Sequence, residues 1–569
     1  MLKLPLRIIP ATHWLVGYRR TDFSSDLIAA LIVTLLLIPQ SLAYAMLAGL
    51  PPEVGLYASI LPLAGYALFG SSRTLSVGPV AIVSLMTASA IGSVAPQGSG
   101  DYLTAASTLA LLTGLILLAM GLLKLGFITH FLSHGVISGF ISASGILIAI
   151  DQLPHILGVT ATGTTVLEIL PSLIAGASSP HLPTLATGAS VLVFLVLARS
   201  RLSHWLCTMG MTRHHAELVT KASPVFALAV TMLAAWLLGL EEAGVSLTGR
   251  VPAGLPEPRL FMPAWDLVRQ LAPSALLIAL IGYVESVSVG KTLGGRRRQR
   301  IDPDQELIGL GAANLASSVS GGLPVAGGFS RSVVNFDAGA VTQMASIITA
   351  LGIALASLLL PAALHYLPKS ALAALIIAAI VPLIDFDILR RTWRFARADS
   401  IAIAATIAVT LLLGVETGLG CGMLVSVALH LHRTSKPHIA EVGLLPGTEH
   451  FRNVTRYNTL TSPRVLSLRP DESLFFTNTA FLEEHIRHLI YEREGIAHVV
   501  LLCSAVNEID FSALEMLDGI NEQLREQGIQ LHLSEVKGPV MDKLQHTGLL
   551  ERLSGNVYLS HFDAFTQLR

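Results

Sequence analysis

The sequence is poor in cysteine and in charged residues. Its three cysteines, Cys207, Cys421 and Cys503, lie far apart among 569 residues, and a scattered odd number favours neither a disulfide framework nor a metal site. Only 13% of the residues are charged, whereas soluble globular chains have about 25%. The low charge excludes a soluble enzyme, and we expect neither a metal nor a cofactor.

Net charge is also nearly absent. The chain carries 37 Lys and Arg against 38 Asp and Glu, a net charge of −1, which gives no positive field for nucleic acid and no acidic excess typical of disorder. The balance differs along the chain, since residues 440–569 hold 11 basic and 18 acidic side chains while residues 1–439 hold 26 and 20. Two regions of different character are therefore expected.

Long hydrophobic runs are what the sequence has in abundance. Hydrophobic residues make up 52% of the chain, and a helix that crosses a bilayer needs about 20 predominantly apolar residues. We predict fourteen such helices within residues 20–433. They lie near residues 24–49, 52–69, 79–96, 102–123, 129–152, 183–198, 222–240, 266–290, 305–320, 331–347, 349–367, 369–385, 399–414 and 417–432.

The distribution of basic residues predicts the orientation. Residues 1–19 lack the short apolar core and small-residue cleavage site of a signal peptide, so we expect them to remain as a cytoplasmic N-terminal segment. Basic loops at 199–221, 291–300 and 390–397 alternate with acidic or neutral ones. The positive-inside rule then places both termini in the cytoplasm, and a bacterial cytoplasmic (inner) membrane is the expected location.

Two breaks in the hydrophobic pattern occupy equivalent positions in the two halves. Residues 74–79 (TLSVGP) precede the third predicted helix, and residues 321–331 (GGLPVAGGFSR) precede the tenth. Paired breaks of this kind mark the binding site in transporters built from repeats. Seven helices per half make the halves opposite in topology, so we predict two inverted seven-helix repeats, about 20–241 and 265–433.

These breaks predict an anion-binding site. The third helix is expected to begin at Pro79, after Ser76 and Gly78, because proline suits the first helical position. If this helix faces the tenth, the free N–H groups of both attract an anion. Arg331 adds a positive charge there and Ser330 a hydroxyl donor. The alternative is that Gly and Pro only allow close helix crossing, with Arg331 at a membrane interface or paired with a carboxylate.

Three further side chains are candidates for the same site. Gln40 and Tyr44 lie one turn apart in the first predicted helix, where an amide and a phenol can both donate to an oxyanion. A helix-to-helix hydrogen bond is the alternative for Gln40. Glu285, in the eighth predicted helix, has no basic residue within four positions. It is a candidate proton carrier, with a cation ligand or a partner for Arg331 as alternatives.

After Pro437 the pattern becomes that of a soluble α/β domain. Residues 496–503 and 529–534 are predicted strands, and residues 511–527 and 538–549 are predicted helices. Alternating strands and helices indicate a small sheet covered by helices.

Several long segments resemble the sulfate permease (SulP) family of anion transporters. They are IPQSLAYAMLAGLPPEVGLY at 38–57, GSSRTLSVGP at 70–79, DQELIGLGAAN at 304–314 and GGFSRSVVN at 327–335. The tail, residues 440–569, resembles that family's cytoplasmic STAS domain. The resemblance implies a core domain of helices 1–4 and 8–11, a gate domain of helices 5–7 and 12–14, an elevator-like movement of the core, and a homodimer.

By the same resemblance, six residues match the family's anion pocket. They are Gln40, Tyr44, Val80, Phe329, Ser330 and Arg331. Glu285 stands where proton-coupled members are similar in having Glu, and the Ser-Arg-Ser at 330–332 looks like that of the sulfate branch. The resemblance implies proton-coupled sulfate uptake by a secondary active transporter surrounded by membrane lipid.

Other functions remain as alternatives. A bicarbonate or dicarboxylate transporter, or an anion exchanger, needs only small changes in the pocket. A nucleobase permease could share the inverted repeats but has little use for Arg331. In a channel or a membrane-anchored sensor, the soluble tail and not the membrane region would carry the function.

The tail departs from soluble STAS proteins at one position. Phe511 stands where they carry a phosphorylatable Ser, so phosphorylation at this position is not expected. A role in dimerisation or in docking a cytoplasmic partner stays open.

Overall fold

The chain folds into two compact units, Met1–Ser426 and Val427–Arg569. The computed structural model describes residues 10–130, 134–161, 163, 165–249, 252–258 and 261–569. The first unit consists mainly of helices, and the second combines helices with a sheet. Most of the predicted N-terminal segment is described, but residues 1–9 lie outside the described part.

The helices of the first unit form two series, separated by residues 238–264. Up to residue 237 they are α1 (Ala11–Val16), α2 (Arg20–Leu47), α3 (Pro52–Tyr57), α4 (Leu61–Phe69), α5 (Ala81–Gly92), α6 (Gly100–Leu122), α7 (His134–Leu157), α8 (Val166–Gly176), α9 (Leu182–Leu197), α10 (Ser203–Thr208) and α11 (Arg213–Leu237). From residue 265 they are α12 (Trp265–Arg296), α13 (Pro303–Val319), α14 (Phe329–Asp337), α15 (Met344–Leu359), α16 (Pro361–Leu364), α17 (Lys369–Ile380), α18 (Ile388–Phe395), α19 (Arg397–Leu413) and α20 (Val415–Ser435).

Each of the fourteen predicted segments contains helix, in agreement with a fourteen-helix membrane unit. Within the described residues, six helical stretches are long and apolar enough to cross a membrane by themselves. They are Arg20–Leu47, Gly100–Leu122, Gly135–Leu157, Leu182–Thr208, Trp265–Arg296 and Lys369–Phe395. Others, such as α5, are apolar but shorter.

The structure corrects several boundaries. The third predicted helix begins at Ala81, two residues after Pro79. The tenth, predicted over 331–347, ends at Asp337, and α15 begins at Met344. Gly339 lies between them with φ of +95°, a left-handed conformation that ends a helix. The sequence analysis missed α1, α8, α10 and α18, because all four are shorter than a membrane span.

The helices of the first unit pack in two groups. In one, α6 packs against α12 and α13, and α2 packs against α15. In the other, α7 packs against α17 and α19. The first group belongs to predicted helices 1–4 and 8–11 and the second to helices 5–7 and 12–14, so this packing agrees with the division into core and gate.

The first unit contains the two short strands β1 (Val77–Gly78) and β2 (Ala326–Gly327), and the second unit is built on a six-stranded sheet whose strands β3 to β8 have the spatial order β4-β3-β5-β6-β7-β8. Its strands are β3 (Ile439–Leu444), β4 (Phe451–Asn453), β5 (Val465–Pro470), β6 (His498–Leu502), β7 (Gln530–Ser534) and β8 (Val557–Tyr558). Strands β5 to β8 are parallel, and β3 is antiparallel to both of its neighbours.

Helices complete this second unit. They are α21 (Thr479–Glu492), α22 (Phe511–Glu526), α23 (Gly538–Gln545), α24 (Leu549–Arg552) and α25 (His561–Leu568). Leu482 of α21 and Leu517 of α22 are buried with Val499 and Leu531 of the sheet. The observed strands β6 and β7 and helices α22 and α23 all lie inside the ranges predicted from the sequence.

Candidate functional site

The two predicted breaks meet in space. Val77–Gly78 (β1) pairs with Ala326–Gly327 (β2) as a short antiparallel ladder, with Val77 opposite Gly327. The Gly328 N–H extends this contact by donating to the Ser76 carbonyl, at 3.2 Å. Because the pairing is antiparallel, α5 and α14 leave the ladder in opposite directions, and both begin next to it.

Both helices begin without a side-chain cap. Val80 and Gly328 occupy the N-cap positions of α5 and α14, and neither helix has a side-chain hydrogen bond at this position. The first N–H groups of a helix have no partner within it, and the helix carries about half a positive charge at this end. Val80 is buried, whereas Phe329 and Ser330 are exposed.

Arg331 lies between the breaks and is 3% exposed. Its Nη1 donates to the Pro79 carbonyl at 2.9 Å, and its Nη2 donates to the Ala326 carbonyl at 3.3 Å. The side chain thus joins the first break to the second, rather than reaching an interface. Its Nε is buried and has no partner within the described residues.

Two glycines make room for this guanidinium. A Cβ at Gly78 would lie 3.0 Å from Nη1 of Arg331, and a Cβ at Gly328 would lie 2.9 Å from its Nε and Nη2. Any side chain at Gly328 would therefore displace the guanidinium. These close approaches explain why the sequence has glycine at both positions.

Several side chains predicted for the site have no hydrogen-bond partner within the described part of the chain. Among the described residues, no hydrogen bond is formed by the side chains of Gln40, Tyr44 and Ser330, and the buried Oε2 of Glu285 and Oγ of Ser76 are also without one. Unpaired buried polar atoms are costly, so Oε2 of Glu285, Oγ of Ser76 and Nε of Arg331 together indicate a place for a polar ligand.

Glu285 and Tyr44 both belong to the electrostatic surroundings of Arg331. Glu285 nevertheless forms no direct ion pair with Arg331, which was one alternative considered for it. The positive charge of Arg331 is therefore not neutralised by a bonded carboxylate.

Two serines hold the breaks in place, and the sequence analysis did not find these roles. Ser332 Oγ accepts from the Ser76 N–H at 2.9 Å and donates to the Gly328 carbonyl at 2.7 Å. Ser286 Oγ accepts from the Gly327 N–H at 2.8 Å, which ties α12 to β2. The Ser332 hydroxyl is thus occupied by backbone groups of both breaks.

A buried carboxylate holds the residues that come just before the first break. Glu306 on α13 is 0% exposed and accepts from the Tyr66 hydroxyl, the Ser71 N–H and hydroxyl, and the Ser72 N–H, all at 2.7–2.9 Å. Glu306 lies in the 304–314 segment that carried part of the family resemblance. The sequence alone did not reveal this role, because the burial of Glu306 is visible only in the structure.

Other polar side chains tie the two halves together. Asn335 Nδ2 donates to the Thr74 carbonyl at 3.0 Å. Gln343 Nε2 donates to the carbonyls of Ser72 and Leu75, at 2.7 and 2.9 Å. Side chains that follow the second break thus hold the first break in its non-helical conformation.

Solved structures show which known fold this chain has. The chain is similar to the murine Solute Carrier 26 family member A9 anion transporter in its inward-facing state, with a TM-score of 0.91 and 22% identity over 100% of this chain and 95% of that one. It is also similar to the transmembrane domain of the cyanobacterial bicarbonate transporter BicA, with a TM-score of 0.60 and 23% identity over 72% and 98% of the two chains. The chain therefore shares its fold with these two membrane proteins.

Sequence comparisons define the family. The model of the sulfate permease family matches residues 23–406, and that of the STAS domain matches residues 456–564. The chain is 35% identical to sulfate transporter 4.1, chloroplastic, of Arabidopsis thaliana, over 96% of its own length and 80% of that protein. It is 33% identical to a probable sulfate transporter of Mycobacterium tuberculosis, over 94% and 93%. The chain belongs to the sulfate permease family, whose members are membrane transporters and not enzymes.

Proposed function

We propose that this protein is a secondary active transporter that takes up sulfate together with protons across a bacterial cytoplasmic membrane. The observation that carries the proposal is the buried, unneutralised Arg331 between the N-termini of α5 and α14. The names of the plant and mycobacterial relatives support sulfate as the substrate.

Charge balance favours a dianion when Glu285 carries a proton. Two helix N-termini contribute about half a positive charge each, and Arg331 contributes a full one. Together they match the two negative charges of sulfate. An ionised Glu285 would reduce this positive charge by one, so a proton on Glu285 and sulfate in the site favour each other.

The unpaired side chains supply the donors in this proposal. Sulfate would accept hydrogen bonds from the N–H groups at Val80 and Phe329 and their neighbours, and from the Ser330 hydroxyl. Gln40 and Tyr44 would donate from α2. Ser76, Gly78 and Pro79 would shape the first break, and Arg331 would act mainly through its charge, since its Nη atoms are already bonded to carbonyls.

The remaining assignments follow the family's architecture. Residues 20–433 would form the transport domain, in which the core carries the anion past the gate by an elevator-like movement. Residues 1–19 and the STAS domain at 440–569 would both lie in the cytoplasm. The STAS domain would contribute to a homodimer or dock a cytoplasmic partner.

The test is uptake of radiolabelled sulfate into proteoliposomes with and without an acid-outside pH gradient. We expect accumulation above equilibrium only with the gradient, and no competition from excess bicarbonate or fumarate. Glu285→Gln mimics the protonated side chain, so it should still bind sulfate but lose gradient-driven accumulation. Glu416→Gln is the matched control, since Glu416 is another partly buried carboxyl of the membrane unit.

Three results would count against the proposal. If concentrative uptake by Glu285→Gln and its pH dependence were unchanged, Glu285 would not be the proton carrier. Uptake of labelled bicarbonate or fumarate in place of sulfate would keep the anion site but change the substrate. Loss of all transport on removal of residues 440–569, with the membrane unit still folded, would favour a tail-centred function.

A further inference from the structure

A short helix on the membrane unit carries an unusual sequence. Helix α18 (Ile388–Phe395) reads ILRRTWRF, with three arginines and two aromatic residues in eight positions. It precedes α19 directly and packs against it. Ile388 is buried, whereas Trp393 is 56% exposed and Phe395 is 92% exposed. Exposed aromatic residues next to arginines are typical of a helix at the membrane–water interface.

A cleft of about 840 Å³ lies between α18 and α19. Its wall on α19 is formed by small apolar side chains, Ala404, Ala405 and Ala408, and by Ile401. Trp393 lines the α18 side. Ser400 also lines the α19 wall, the cleft is open to its surroundings, and its exposed lining is almost entirely apolar.

The α18 side of this cleft carries two arginines. Arg390 and Arg394 both line the cleft and lie one helical turn apart, on the same face as Trp393. Neither forms an ion pair within the described part of the chain. Arg391, which does not line the cleft, pairs with Asp385. Two uncompensated cations beside an apolar wall are complementary to an anionic amphiphile.

We propose that this cleft binds one anionic phospholipid of the surrounding membrane. The headgroup phosphate contacts Arg390 and Arg394, and an acyl chain lies along Ala404 and Ala408. Trp393 sits at the boundary between headgroup and chain. Basic pockets of this kind on the cytoplasmic side of membrane proteins attract anionic headgroups.

The test measures binding of palmitoyl-oleoyl phosphatidylglycerol to the purified full-length protein by native mass spectrometry, with phosphatidylcholine and inorganic phosphate as comparison ligands. We expect phosphatidylglycerol to bind and inorganic phosphate at the same concentration not to displace it. Arg390→Gln/Arg394→Gln should weaken binding about 20-fold, since each basic residue near an anionic surface contributes several-fold.

Two variants sharpen this experiment. Arg296→Gln/Arg300→Gln removes two exposed arginines from another basic loop and should leave phosphatidylglycerol binding unchanged. Ala404→Trp fills the apolar part of the cleft without a charge change, and should weaken binding of the lipid as well. Weaker binding in both the double arginine variant and Ala404→Trp would show that the lipid contacts the cleft through its phosphate and through an acyl chain.

Three outcomes would overturn the proposal. Equal binding by Arg390→Gln/Arg394→Gln would show that the lipid lies elsewhere. Displacement by inorganic phosphate, with no effect of Ala404→Trp, would make the site one for a free anion. A change of oligomeric mass in the arginine variant, without a change in bound lipid, would make the cleft a contact between copies of this chain.

Discussion

Replacement of Arg331 by lysine separates the charge of this side chain from its geometry. Arg331 bonds two carbonyls that belong to different breaks, Pro79 at 2.9 Å and Ala326 at 3.3 Å. Lysine keeps the positive charge but has no planar fork, so we expect one carbonyl to lose its donor. A hydrogen bond to a charged group contributes about 1.5–3 kcal/mol. If that bond holds the cation in position, Arg331→Lys weakens sulfate binding about 10- to 100-fold.

Arg297 offers a matched control at the other end of α14. It donates from Nη2 to the Phe336 carbonyl at 3.0 Å and from Nη1 to the Ala340 carbonyl, and lies 4.3 Å above the Phe336 ring. Arg297→Lys therefore loses the same kind of two-carbonyl contact, but away from the two breaks. Both variants should be less stable without ligand, and only Arg331→Lys should lose anion affinity.

The assay is thermal unfolding of the purified protein with and without sulfate. At a sulfate concentration of 100 Kd, the unsubstituted protein gains about 2.7 kcal/mol in free energy of unfolding. A variant that binds 30-fold more weakly gains only about 0.9 kcal/mol under the same conditions. Equal stabilisation of Arg331→Lys and Arg297→Lys by sulfate would refute the reasoning that the fork positions the charge.

Further predictions concern one serine and one histidine. Ser286→Ala leaves the buried Gly327 N–H without its acceptor, and should lower the free energy of unfolding by about 1–3 kcal/mol. In the second unit, burial lowers the pKa of His532 to about 4, and an unfolded histidine has a pKa of about 6.5. The unfolded chain therefore takes up the proton first, and stability falls as the pH drops from about 6.5 to about 4. Hydrogen exchange of Gln530–Ser534 in the full chain should show this loss of stability. His532→Gln should make the loss smaller, whereas replacement of the exposed His546 by Gln should leave it unchanged.

The membrane helices were predictable because a bilayer imposes a local rule. A span must be long and apolar, and that property is visible in a window of about 20 residues. The same holds for the breaks, since Gly and Pro at 74–79 and 321–331 interrupt the pattern. Short elements escaped prediction, as α8 and α18 show, because a helix below span length has no such signature.

The α/β unit was also predictable in outline. Of its central strands, β6 is an apolar run after His498 and β7 alternates polar and apolar residues, and α22 has apolar residues at helical spacing. The order of the strands was not predictable, because it depends on which strands pair. In particular, β3 lies between β4 and β5.

The sequence by itself determined the class of architecture and the residue types at the two breaks, because run length, periodicity and Gly/Pro content are local properties of the chain. Only the tertiary structure decided what these residues contact. Arg331 bonds to Pro79 across 252 positions, and Glu306 bonds to Ser71 across 235. Contacts over such separations depend on how whole helices pack. A single sequence carries no local signal of which distant residues will meet.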